Sequence, residues 1–286
     1  MKAEFLEPES LSEAMALLEN YAEDAKIIGG GTAIVLMLQQ KLIAPQVLVS
    51  LGRVPDLDYI RQGPAGLQIG ALVRLRDAHR SPALKRFCPA LAHSIGIVGN
   101  VRVRNQATIG GNLAEADYAS DPPAMFLALD ARVKVASTRG RREIPLSEFY
   151  LGFYTTALDP DEFLGEIVVP ALPASPRSVY LKYSSRSAED RPCVGVAAVA
   201  GLTPDGRCHD LRVAVGAALE TPQRLPEVEA LAQGEALTDE LIGTIAAGYA
   251  QALEPISDAR GSAWYRREMI HVFVRRALVE LRNGHR

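Results

Sequence analysis

Two glycine clusters constrain this chain more than any other feature. Lys26-Ile27-Ile28 is a short β-branched run that enters Gly29-Gly30-Gly31-Thr32, after which Ala33 to Leu38 is apolar and Gln39-Gln40-Lys41 is polar. The order predicts strand, glycine turn, helix, with Thr32 as the N-cap. The second cluster is Thr108-Ile109-Gly110-Gly111-Asn112-Leu113. Glycines leave backbone N–H groups accessible and allow positive φ. Such a turn can wrap a phosphate with main-chain donors while a nearby Thr or Asn adds a side-chain hydrogen bond. A diphosphate suits this chemistry. Neither cluster fits G-x-G-x-x-G, because Ile34 stands where the third glycine belongs, and G-x-x-x-x-G-K-S/T is absent. Rossmann and P-loop architectures therefore lose support. A lone glycine cluster is more often a plain tight turn. Two in one region, the first opening a helix, point to a nucleotide-shaped cofactor without saying which.

The surrounding pattern mixes helices and strands. Ser10 and Glu13 stand at capping-box spacing, and Leu11, Ala14, Met15, Leu17, Leu18 and Tyr21 follow at helical intervals. Val47 to Leu51, Leu67 to Ala71 and Ala131 to Ala136 read as strands. Asp121 precedes Pro122-Pro123, which suits an N-cap before a helix over Ala124 to Leu129, although its carboxylate could equally meet a ligand. Pro170 to Pro176 carries three prolines in seven residues and opposes both helix and central strand. The expected division falls there, giving domains at 1–176 and 177–286, in line with about 100 to 200 residues per domain. Beyond it, Val179 to Tyr183, Val194 to Leu202 and Leu211 to Leu219 read as strands, the last two joined by Thr203-Pro204-Asp205-Gly206 as a hairpin. From Pro226 the pattern turns helical, and Ile270, Phe273, Val274, Ala277, Leu278 and Leu281 mark one face of a final long helix.

Composition removes several function classes. The 31 basic and 34 acidic residues give a net charge of −3, so no basic surplus points to nucleic acid. Cys88, Cys193 and Cys208 are scattered without C-x-x-C, which suits a reducing cytoplasm and gives no metal-ligand spacing. No basic-then-apolar leader opens the sequence, and no stretch approaches about 18 uncharged apolar residues, so the expectation is a soluble, intracellular chain. His79, His93, His209, His271 and His285 form no H-E-x-x-H, and no G-x-S-x-G surrounds any serine. The charged stretch Lys182 to Arg191 follows a strand and reads either as a solvated loop or as a cover over a bound cofactor.

Arg104-Asn105-Gln106-Ala107-Thr108-Ile109-Gly110-Gly111-Asn112-Leu113-Ala114, followed by Ser120-Asp121-Pro122, closely resembles the second FAD motif of the flavoprotein subunits of the molybdenum hydroxylases, the family of xanthine dehydrogenase and aerobic carbon monoxide dehydrogenase. Ile27-Ile28-Gly29-Gly30-Gly31-Thr32-Ala33 resembles the first FAD motif, and Asp258-Ala259-Arg260-Gly261-Ser262-Ala263-Trp264-Tyr265-Arg266 resembles the family's D-x-R-G-S-A-x-Y-R stretch. The resemblance implies an α+β fold: a two-subdomain FAD-binding domain of the vanillyl-alcohol-oxidase (PCMH) type, then a C-terminal domain with a small three-stranded sheet and helices. It implies that Ile27, Ile28, Gly29, Gly30, Gly31, Thr32 and Ala33 wrap the FAD diphosphate. Ala107, Thr108, Ile109, Gly110, Gly111, Asn112 and Ala114 would form the second wall, with Asp121 near the ligand, Leu164 packed on the flavin side and Lys182 or its loop at the isoalloxazine edge.

The implied function is that of a flavoprotein electron-transfer subunit with no catalytic side chain of its own. A large molybdopterin-type subunit and a small subunit with two [2Fe–2S] clusters would be its partners, as a dimer of heterotrimers, delivering electrons through FAD to an external acceptor. With three scattered cysteines, every iron–sulfur cluster would lie in a partner chain. A stand-alone FAD oxidoreductase with its own small substrate, and a non-redox nucleotide-binding module, are the alternatives.

Overall fold

The computed structural model describes residues 3–284; Met1, Lys2, His285 and Arg286 lie outside the described residues. The chain opens with β1 (Glu4–Leu6), α1 (Leu11–Tyr21), β2 (Ala25–Ile28), α2 (Ile34–Gln39) and β3 (Val47–Ser50). The strands are parallel in the order β1-β3-β2, a pairing that requires the two crossover helices. The capping box at α1 is displaced by one residue. Ser10 Oγ accepts from the Glu13 N–H at 3.2 Å, while the Glu13 carboxylate accepts from the Glu9 N–H at 2.9 Å. Ala14 and Leu18 pack with Val47 and Val49 into a small core. Thr32 does not cap α2. Gly31, at φ +74°, turns the chain so that the helix starts one residue later than a Thr32 cap would set it, Ala33 stands at the N-cap, and the Val35 N–H donates to the Gly31 carbonyl. None of the six residues of α2, Ile34 to Gln39, is fully buried, and Leu36 is exposed despite the apolar sequence.

A second unit follows. β4 (Ile60–Gly63) and β5 (Gly66–Gly70) lead into a run of short helices: α3 (Leu75–Arg80), α4 (Pro82–Phe87), α5 (Pro89–Gly96), α6 (Val101–Gln106), α7 (Ile109–Ala114) and α8 (Pro122–Ala128). Then come β6 (Arg132–Ser137), β7 (Gly140–Pro145), α9 (Leu146–Phe149), the small hairpin β8 (Tyr150–Gly152) with β9 (Thr155–Thr156), and β10 (Phe163–Pro170). The antiparallel sheet runs β4-β5-β10-β6-β7, so the last strand in sequence sits at its centre. Val133 and Val135 share its buried face, in agreement with the alternation of β6. Pro170 and Pro176 stand at strand ends, where a missing N–H is tolerated.

The third unit is a sheet of β11 (Pro176–Tyr183), β12 (Val194–Leu202), β13 (Cys208–Gly216) and β14 (Gln223–Arg224), antiparallel in that order, followed by α10 (Pro226–Glu229), α11 (Asp239–Ala252) and α12 (Ala263–Asn283). It has three long strands and a two-residue fourth. Every residue of β12 is buried, because Ala197 and Val199 face the helical core of the second unit while Val196 and Ala198 face α11 and α12. Sandwiching on both faces explains why this strand reads as a continuous apolar run. The hairpin forms as expected: the Gly206 N–H donates to the Thr203 carbonyl and the Thr203 N–H to the Arg207 carbonyl. β13 ends at Gly216, short of Leu219, because Ala217 takes φ +63° and turns the chain away. α12 buries the six predicted apolar positions together with Arg266. The chain is thus α+β throughout. Among the described residues, no helix is long and apolar enough to cross a membrane.

Candidate functional site

The two glycine turns meet face to face. A Cβ on Gly30 would overlap the Gln106 carbonyl oxygen and stand 2.9 Å from Ala107 Cα, so only glycine permits this backbone contact. A Cβ on Gly29 would stand 3.0 Å from Thr108 Oγ1. The second turn is in its own place bonded to the segment after β5. Ile109 and Gly110 donate their N–H groups to the Val73 and Ala71 carbonyls, and a Cβ on Gly110 would press to 2.5 Å from Ala71 Cβ.

Two adjoining cavities, of about 420 and 350 Å³, are walled in part by these turns. The first is walled by Ile27, Gly29, Gly30, Gly31, Thr32 and Ala33 from one turn, by Ala107, Thr108, Gly111 and Asn112 from the other, and by Asp121. The second shares Ile27, Gly29, Thr108 and Gly111 and adds Gly110, Ala114 and Leu164. Three expected residues lie outside both walls. Ile28 sits behind the first turn, packed near Gly31. Ile109 is buried in the main core. Lys182 is turned away, donating to Asp121 Oδ2 at 2.9 Å and to the Ile97 carbonyl at 3.1 Å. The end of its loop does reach the cleft, since Glu189, Asp190 and Arg191 line the first cavity.

The turns contribute different chemistry. Among the described residues, the backbone N–H groups of Gly30, Gly31, Thr32 and Ala33 have no acceptor in the protein, which leaves a row of donors at the wall of the first cavity. The second turn keeps its amides for itself: Gly111 donates to Thr108 Oγ1 at 3.1 Å and Asn112 to the Thr108 carbonyl at 2.9 Å. It therefore offers side chains, namely the Thr108 hydroxyl proton and Asn112, whose amide is held by Ser120 at 2.9 Å. Thr108→Val removes this cap and is expected to lower stability by about 1 kcal/mol in a denaturant titration, while weakening any ligand that uses the hydroxyl.

Asp121 stands at the N-cap position of α8 but its side chain does not cap the helix. The backbone there is already helical, and the carboxylate accepts from Tyr180 at 2.9 Å and from Lys182. Burial pushes its pKa up to about 6 against the pull of Lys182 and Tyr180. The residues that sequence reasoning missed follow directly after the second motif. Glu115 lines both cavities, and burial, reinforced by Asp117 and opposed by Arg191, pushes it up to about 7. Asp117 pairs with Arg191 at 2.6 Å. Phe163, Leu158 and Tyr154 add apolar and aromatic surface to the second cavity.

The Asp258 to Arg266 stretch acts at a distance from the cleft. Asp258 accepts from Tyr118 at 2.7 Å, from Arg260 and from the buried Arg266, and these bonds hold it well below the usual carboxylate range although burial opposes them. Tyr118 lies between Asp117 and Ala119, both in the wall of the first cavity, so the C-terminal unit braces that wall.

This architecture defines a nucleotide-cofactor protein: an α+β cradle closed by two opposed turns and braced by a C-terminal unit. Residues 1–172 match the family model of the FAD binding domain in molybdopterin dehydrogenase, and residues 179–281 match that of the CO dehydrogenase flavoprotein C-terminal domain. The chain belongs to the FAD-binding subunits of the molybdenum hydroxylase and carbon monoxide dehydrogenase family, and is an oxidoreductase subunit. It is 33% identical to the glyceraldehyde dehydrogenase medium chain of Sulfolobus acidocaldarius, covering 97% of both chains. It is 34% identical to the nicotine 6-hydroxylase medium subunit of Paenarthrobacter nicotinovorans, covering 96% of each. Its structure superimposes with a TM-score of 0.94 on a chain of carbon monoxide dehydrogenase from Hydrogenophaga pseudoflava lacking the Mo-pyranopterin moiety, at 33% identity over 98% of this chain and 97% of that one. The site fits FAD on its own terms. Unpartnered amides of Gly30 to Ala33 line the first cavity next to its junction with the second, where they suit a diphosphate, and the two adjoining cavities leave room for flat rings. Among the described residues, no group of three or more His, Cys, Asp or Glu side chains is placed to hold a metal ion.

Proposed function

We propose that the chain carries electrons through FAD in a molybdenum-dependent hydroxylase or dehydrogenase complex, receiving them from [2Fe–2S] clusters of a small partner subunit and releasing them to an external acceptor. A large molybdopterin-type subunit holds the substrate, and the assembly is a cytoplasmic dimer of heterotrimers. The observation that carries this reading is the pair of opposed turns flanked by two cavities, on a chain that matches medium subunits over nearly its whole length. FAD supplies the conversion between single-electron delivery and two-electron release.

Residues 1–176 form the cradle and 177–286 the brace. Gly30, Gly31, Thr32 and Ala33 donate their amides to the diphosphate, held in place by the Gly30 contact with Gln106. Thr108 and Asn112 add side-chain hydrogen bonds. Leu164 packs against a ring in the second cavity, and Asp121, fixed by Tyr180 and Lys182, orients a polar edge in the first. Among the described residues lining the cleft, no side chain is hydrogen-bonded to a second one as nucleophile to base, which suits positioning and electrostatic tuning of a cofactor.

The test is reduction under anaerobic conditions. In the complete complex, addition of the substrate is expected to bleach the visible flavin absorption, whereas the same substrate leaves the flavin of the isolated chain oxidised. Rapid bleaching of the isolated chain by a small substrate would instead make it a stand-alone oxidoreductase.

A further inference from the structure

We propose that Glu115 takes up a proton as FAD binds, so that the cleft holds the cofactor with a neutral carboxyl beside its diphosphate. This inference rests on the FAD reading above. A ligand with two flat ends and an anionic middle fills both cavities only by crossing their junction. That junction consists of Ile27, Gly29, Ile34, Thr108, Gly111 and Glu115, the residues common to both walls. Glu115 is thus the one ionisable side chain at the crossing.

The surroundings offer it little compensation. Among the described residues, no hydrogen bond or ion pair to its carboxylate is found, and the guanidinium that acts on it, Arg191, is committed to Asp117. The charged and titratable groups around it come from four elements. Asp117 and Asp121 come from the chain between α7 and α8, Tyr154 from the β8–β9 hairpin, and Glu189, Asp190 and Arg191 from the loop after β11. Lys26 of β2, in the wall of the second cavity, is the other cation. Acidic groups outnumber basic ones even before the diphosphate enters. Burial and Asp117 already place the carboxyl at about 7. An arriving diphosphate acts in the same direction, because a like charge disfavours the ionised form.

The linkage has a definite sign. Above about pH 7, Glu115 is ionised in the ligand-free chain and protonated in the complex, so binding consumes a proton: carboxylate, proton and FAD give carboxylic acid with bound FAD. Affinity must then fall as pH rises, by up to about tenfold per pH unit. Among the described residues no histidine lines either cavity, and Asp121, the other carboxyl pushed up by burial in the first cavity, sits lower at about 6 and is tied to Tyr180 and Lys182.

The experiment titrates the full-length, deflavinated chain with FAD by flavin fluorescence between about pH 6 and pH 8.5, alongside Glu115→Gln. The wild-type dissociation constant is expected to be level up to about pH 7 and then to climb, reaching roughly a tenfold change by pH 8.5, while Glu115→Gln stays level and binds more tightly than wild type at the alkaline end. Titration calorimetry of the wild type in two buffers of different ionisation enthalpy gives an independent readout that needs no variant: uptake of up to about one proton per FAD near pH 8. A level wild-type profile without proton uptake, or a slope that persists in Glu115→Gln, overturns the inference while leaving the cofactor assignment intact. Absence of FAD binding at every pH overturns the cofactor assignment and this inference together.

Discussion

Gly30→Ala is expected to strip the chain of FAD and to destabilise it by about 3 kcal/mol, at the upper end of the cost of overpacking. The added methyl overlaps the Gln106 carbonyl oxygen and stands 2.6 Å from its carbon, so backbone rather than a flexible side chain must move. Separating the turns shifts the amides of Gly31 to Ala33 away from Thr108 and Asn112, and both halves of the diphosphate site are lost at once. Denaturant midpoints and FAD content of the purified variant check the two effects separately. Gly243→Ala is the matched control. Nothing lies within 4 Å of its Cβ position in α11, so the same substitution there is expected to stabilise the helix by about 0.5–1 kcal/mol.

The second large effect is expected at Lys182. Its side chain is 7% exposed and that of Asp121 3%, so Lys182→Met leaves a buried carboxylate without its cation. Breaking such a pair costs about 3–5 kcal/mol, whereas replacing both members is far milder. Asp121→Asn combined with Lys182→Met is therefore expected to recover much of the loss, and a double-mutant cycle measures the coupling. The pH dependence follows from the carboxyl. Burial already raises it to about 6, and removing Lys182 raises it further. A folded-state pKa above the unfolded one gives stability at low pH that is lost as pH rises through the folded value. The deficit of Lys182→Met is thus expected to shrink as pH falls from 7 toward about 5, where a protonated Asp121 needs no cation. A deficit that is constant over this range would show that Lys182 matters through packing alone.

Features held by short-range geometry were legible in the amino-acid order. Close backbone approach demands glycine, so the Gly30 contact left a mark that could be read at a distance from its partner. The spacing of Ile270, Phe273, Val274, Ala277, Leu278 and Leu281 likewise reports one buried helix face directly. The hairpin at Thr203 to Gly206 is local chemistry in four residues. Features that depend on where the chain returns were not legible. Thr32 has the right side chain to cap, yet Gly31 turns the backbone and displaces the helix start. Asp121 has the right side chain too, but its carboxylate meets Tyr180 and Lys182, some 60 positions later. The second glycine cluster reads as a set of open amides, and only the fold shows that Val73, Ala71 and Thr108 have already taken them. Glu115 carries no motif signature. Its significance arises from the meeting of two cavities, with Arg191 arriving from a different unit to pair with its neighbour Asp117.

Whether the opposed turns hold FAD is read from the cofactor content of the purified full-length chain after incubation with FAD and removal of the excess. The expected result is one FAD per chain, with visible flavin absorption, and its loss in Gly30→Ala but not in Gly243→Ala. Wild-type protein that stays colourless, or FAD bound equally by wild type and Gly30→Ala, would contradict the account.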